Sequence, residues 1–109
     1  MLIKSAVDRL TLSTPVRDTI ESIRSLLNEM NDCIVTLEEY GDTVQIVDPS
    51  MLTKIQNRLP RYISSKWVDE VGRIYNRNQI PSLHHFSNFV ERFLKSRNNP
   101  YGLALQGDG

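Results

Sequence analysis

A chain of 109 residues with 13 basic and 13 acidic side chains and 39% apolar residues has room for one domain around one modest core. Its single cysteine, Cys33, excludes an internal disulfide framework or a multi-cysteine zinc site, and suits a reducing, intracellular and cytoplasmic setting. The net charge of zero hides a division. Residues 1–48 hold four basic and nine acidic side chains, whereas residues 49–109 hold nine basic and four acidic. The opening MLIKSAVDRL meets charge too early for a signal-peptide core, and no segment is apolar enough to span a bilayer.

The five prolines fall where helices start or stop, since proline lacks the N–H that the first helical turn leaves unpaired. The expected architecture is all-α: a small bundle of four to five helices in one domain, residues 1–97, with a flexible tail over 98–109. Residues 1–12 read as a short lead-in helix, truncated from a longer element, with Ile3, Val7 and Leu10 on one face. The strongest signal follows. Val16, Ile20, Ile23, Leu27, Met30, Ile34 and Leu37 are spaced alternately four and three apart, ahead of Gly41. This predicts an amphipathic helix over 15–40, capped by Ser13 or Thr14 and ended by Gly41. Thr19, Leu26, Cys33 and Tyr40 flank the stripe and widen it, which favours a bundle core over a free-standing coiled coil. Asp18, Ser25, Asp32 and Glu39 fall on the opposite face.

Residues 42–47 read as a loop. Asp48-Pro49-Ser50 opens a short helix over 49–58, with Leu52, Ile55 and Leu59 inward, and Pro60 stops it. A helix over 60–76 aligns Ile63, Trp67, Val71 and Ile74. Gly72 inside it serves close packing or is a tolerated blemish. Ser82 caps a last helix over 83–97 with the stripe Leu83, Phe86, Val90 and Phe93. Trp67 reads as core. Phe89, to the side of its helix's stripe, reads as an interface candidate.

No enzyme is visible in the sequence. The dispersed glycines form no phosphate loop. Cys33, on the wide apolar face, reads as a small buried hydrophobe. His84 and His85 are adjacent on a helix, about 100° apart, so they cannot grip one metal together: one faces solvent and the other lies at the core edge. Glu38-Glu39 and Asp69-Glu70 read as solvated faces. No cofactor, metal or small-molecule substrate is implied.

The second half carries an ordered series: Leu59-Pro60, Trp67, Pro81-Ser82-Leu83, Phe86, Phe89-Val90 and Asn99-Pro100-Tyr101-Gly102. With the long helix running to Leu37 and Gly41, it resembles the Gag-like region of Bel/Pao-type retrotransposon polyproteins, the DUF1759 family, over about residues 10–102. The resemblance implies a helical, self-associating structural protein that encloses RNA. Cys-x-x-Cys is absent from these residues, so zinc-dependent RNA packaging is not assigned to them. The Gln-Gly-x-x-Glu signature of retroviral capsids is absent too.

The basic residues Lys54, Arg58, Arg61, Lys66, Arg73, Arg77, Arg92, Lys95 and Arg97 are the other candidate interaction surface. They form a solvated face, a positive surface for RNA phosphate, or one for the acidic face of a neighbouring copy. Without interleaved aromatic residues, base stacking has little support. The matching acidic excess favours homo-oligomerisation over a weak RNA contact. An RNA-binding module and a protein-interaction adaptor docking through the long helix are the alternatives.

Overall fold

The structure, a computed structural model, describes residues 2–98. The side chain of Ile3, the tail expected over 99–109 and the Asn99-Pro100-Tyr101-Gly102 segment lie outside the described residues. The fold is all-α. Five helices follow in order: α1 (Leu2–Leu12), α2 (Ile20–Glu39), α3 (Pro49–Gln56), α4 (Arg61–Asn76) and α5 (Leu83–Asn98), with a 3-10 turn at Gln45–Val47 before α3. Among the described residues there is no strand.

The long helix begins later than its periodicity predicts. Pro15 does not open it, and neither Ser13 nor Thr14 caps it. The Ser13 hydroxyl donates to the Arg9 carbonyl and so closes α1. Val16 enters the core from non-helical chain, its N–H donating to the Arg58 carbonyl at 2.7 Å. Thr19 is the cap, with Oγ1 accepting from the Ser22 N–H at 3.2 Å. A residue anchored by a distant backbone contact thus happened to continue the helical spacing. Gly41 does end α2, at a φ of 71°. The Gly41 N–H donates to Glu38 and the Asp42 N–H to Leu37, a Schellman closure that needs the left-handed residue between them. Leu26 and Cys33 are fully buried, so the stripe is wide as expected, although Tyr40 in the same column is exposed.

Residues 42–47 are not wholly irregular, because the 3-10 turn drives Ile46 into the core. Asp48 caps α3 through the Ser50 N–H at 3.0 Å, with Pro49 in the first turn. Pro60 is not what stops α3. The four-residue bonding ends at Asn57, after which Arg58 and Leu59 bond three residues back, and Pro60 instead caps α4. α4 closes through Asn78, whose φ is 59°, with the Gln79 N–H returning to Ile74. Gly72 has no atom within 4 Å of where a Cβ would stand, so packing does not demand it.

Ser82 caps α5 as expected, in a reciprocal form. Its Oγ accepts from the His85 N–H at 3.2 Å, while its own N–H donates to His85 Nδ1 at 3.1 Å. The imidazole fills the place a glutamate takes in a capping box. α5 runs on through Asn98, one residue into the expected tail.

α2 is the centre of the bundle, packed on α1 along one side and on α5 along the other, while α5 also meets α4 and α1 also meets α3. The family-motif residues Leu59, Trp67, Leu83, Phe86 and Val90 are all core. Trp67 stacks on Phe86 with ring centroids 4.0 Å apart. Pro81 is buried and Pro60 half-buried at the ends of their linkers.

Candidate interaction surface

Two neighbouring clefts, of about 320 and 660 Å³, form one trough between α4 and α5, because both are lined by Glu70, Arg73 and Arg92. Glu70 lies at the middle of the trough. This residue stands between Trp67 and Ile74 on the inward flank of α4 and is only 7% exposed. A lone buried carboxylate would be costly, but three guanidiniums surround it. Arg73 Nη1 donates at 3.0 Å and Arg92 Nη2, from α5, at 3.1 Å, with Arg77 Nη2 3.8 Å away. Burial works against the Glu70 charge, yet the hydrogen bonds from Arg92 and Arg73 outweigh it and hold its pKa below the usual value.

Three carboxylates, Asp69, Glu70 and Glu91, line the trough against five cations, so it keeps a small positive surplus. Of the cations, Lys66 stands at one end and Lys95 at the other. Lys95 also pairs with Glu91 at 3.2 Å. Each guanidinium has five N–H donors. Arg73, Arg77 and Arg92 are all more than half exposed, so they present further donors to a carboxylate or phosphate entering from solvent.

The nine basic residues therefore do not form one face. Lys66, Arg73, Arg77, Arg92 and Lys95 converge on the trough; Lys54 and Arg61 are exposed and line neither cleft. Arg58 is not a surface cation at all. Its side chain is 11% exposed and donates to the Leu10 carbonyl at 2.6 Å, the Thr14 carbonyl at 3.0 Å and Glu29 at 3.3 Å. It thereby satisfies the end of α1 and holds the linker to α2. Arg97 is likewise engaged structurally. It pairs with Asp18 and lies over the Tyr62 and Phe93 rings at 5.5 and 5.2 Å. The Arg97 hydrogen bond lowers the Asp18 pKa, against the opposing effect of burial and with help from the Tyr62 hydroxyl. Burial and the bond to Asp18 push the Tyr62 phenol up to about 12.

Phe89, expected at an interface, is a core residue instead. It is 9% exposed and packs on Trp67 at 5.5 Å and Phe86 at 6.3 Å, so it belongs to the core and lends only its edge to the trough. The geometry of α5 explains this, because its contacts with both α2 and α4 demand two apolar flanks where one stripe serves only one neighbour. Conversely, Glu70 is not a solvated acid like its neighbour Asp69. Its place in the spacing Ile63, Trp67, Glu70, Ile74 was the available signal: an acid on the buried line needs nearby cations.

The histidines divide as expected. His84 is exposed beside Glu38 at 3.2 Å, and His85 is half-buried in the α5 cap. Among the described residues no group of three metal-ligating side chains gathers, and no helix is long and apolar enough to cross a membrane. Cys33 is buried, and burial pushes its thiol up to about 11, which disfavours the reactive thiolate.

The acidic half contributes a second surface. Glu21, Asp32 and Glu39 are exposed, and their spacing of eleven and seven residues puts them on one outer line of α2. Asp18, expected on this face, instead lies before the helix and is taken up by Arg97 and Tyr62. Comparison with protein-family models, with curated proteins and with solved structures finds no match for this chain.

Proposed function

We propose that this chain is a non-enzymatic assembly domain, of Gag-like retrotransposon descent, that associates with further copies of itself through its helical faces. The observation that carries the reading is the separation of charge in space: an acidic line along the outside of α2 and a basic trough between α4 and α5. Within one patch like charges repel, while patches of opposite sign on two copies attract and set their register. A contact between two different patches leaves one of each unfilled, so it propagates into rings or filaments instead of stopping at a pair. That is the behaviour a particle-forming domain requires.

The Gag-like descent rests on the ordered series from Leu59 to Gly102. Its described apolar members are core side chains, so the series bears on the helical scaffold and not on any surface. A reducing intracellular compartment fits the free, buried Cys33. The assembly needs no cofactor and no small-molecule substrate.

Sedimentation velocity from micromolar to millimolar protein tests this reading. The average mass should rise with concentration at about 0.05 M salt and fall back towards the monomer at about 0.5 M, where charge contacts are screened. A monomer at every concentration in low salt sinks it. The trough also favours a second reading, a module for RNA phosphate. Lys66, Arg73 and Arg77 line it along one edge of α4, over about 16 Å at the helical rise. Titration with single-stranded RNA separates the two: that module binds with a steep salt slope, and an assembly domain does not need to bind at all.

A further inference from the structure

We infer that the trough between α4 and α5 is the receptor for the outer face of α2 of a neighbouring copy, with Asp32 and Glu39 set against Lys66 and Arg73. The inference rests on the assembly reading above and names its interface.

Three observations lead to it. The first is that the two surfaces cannot meet within one molecule. α5 packs between α2 and α4, and its Glu91 and Lys95 stand between the trough and the α2 side, lining the clefts on both. On the α2 side of these two residues lies a separate cleft of about 260 Å³, bordered by Arg24 and Asn28. The acidic line lies on that same side, so within one copy it is kept from the trough, whose own acids are Asp69, Glu70 and Glu91, and its carboxylates reach only the trough of another copy.

The second is register. Asp32 and Glu39 are seven residues apart on one helix, and so are Lys66 and Arg73 on another. Both pairs therefore span about 10 Å along their helices at 1.5 Å per residue. A helix laid along α4 meets both cations with both acids at once.

The third is chemistry. Glu70 holds Arg73 and Arg92 with their guanidiniums spread at the edge of the trough, so their ordering is largely complete before a partner arrives. The incoming carboxylates are suited to the forked donors that remain. On α2 the residues on that face between Asp32 and Glu39 are Val35, which is exposed, and Thr36, and the residues just before Asp32 include the short Ser25 and Asn28.

The test is charge exchange. Lys66→Glu with Arg77→Glu makes the trough acidic while leaving Arg73 and Arg92 on Glu70, and Asp32→Lys with Glu39→Lys makes the α2 face basic. All four positions are exposed, so the core is untouched. In low salt each double variant should associate at least about tenfold more weakly than the unaltered chain. An equimolar mixture of the two should recover association, because each then offers the face that the other has lost.

If the trough pair unfolds the domain, the α2 pair alone decides. It must fail to self-associate, yet still cap assemblies of the unaltered chain through its intact trough. Double variants that associate like the unaltered chain overturn this interface and leave the assembly reading standing. An unaltered chain that stays monomeric overturns both. Trough variants that lose binding to single-stranded RNA while self-association is unchanged overturn the inference in favour of a nucleic-acid site.

Discussion

Glu70 is a carboxylate on the apolar flank of a helix, and its charge survives there because cations outnumber it. Its folded pKa lies below its unfolded value of 4.5, so the stability it contributes is complete above that pH and is lost as pH falls through the folded value. Asp18 acts in the same direction. Acid should therefore weaken the domain below about pH 4.5, and Glu70→Gln should flatten that fall. At neutral pH the same change should cost only about 1 kcal/mol, since the arginines it releases are more than half exposed and return to water. Urea unfolding at a series of pH values measures both effects, and an unchanged acid limb in the variant contradicts the assignment. Two further positions, one in the core and one exposed, give opposite expectations. Phe89→Ala removes a ring packed on Trp67 and should destabilise by about 3–5 kcal/mol, whereas loss of an interface residue would leave the melting curve in place. Gly72→Ala meets open space and should stabilise α4 by about 1 kcal/mol.

At the scale of elements, Arg58 decides how α1 and α2 join. Its side chain bonds the Leu10 and Thr14 carbonyls, and its own carbonyl receives the Val16 N–H. One residue just beyond α3 thus fastens a linker more than forty positions earlier in the chain. Arg58→Met should lower stability by about 2–4 kcal/mol, because carbonyls near the core lose their donor and Glu29 loses its partner. Arg58→Lys should restore little, since a single ammonium cannot serve diverging acceptors as a guanidinium does. Thermal unfolding of the pair checks this, and a fully stable Lys variant would show that charge alone suffices. Most helices could be read from local chemistry: the Asp48-Pro49 start of α3, the Gly41 end of α2, the Ser82 cap of α5. The start of α2 could not. Val16 fits the helical spacing, and only the contact with Arg58 shows it held in non-helical chain. The cap at Thr19 was hidden by a periodicity that ran one residue too far.

Over the whole molecule, the acidic and basic halves of the chain become separate faces, but not by simple inheritance. Of the nine basic side chains in the second half, five reach the trough, while Arg58 and Arg97 are drawn into structural pairs with Glu29 and Asp18 of the acidic half. The trough exists because α4 and α5 pack antiparallel, Tyr62 meeting Phe93 and Trp67 meeting Phe86, which sets Glu70 beside Arg92. Helix identity, most helix ends and the division of charge follow from the sequence by itself, because hydrogen bonds within a helix join residues four apart and caps are local. Which cations converge, which are consumed as clamps, and why Glu70 is buried were decided only by tertiary packing. Those outcomes depend on which helix lies beside which, and the spacing of residues along a single helix carries no record of its neighbour.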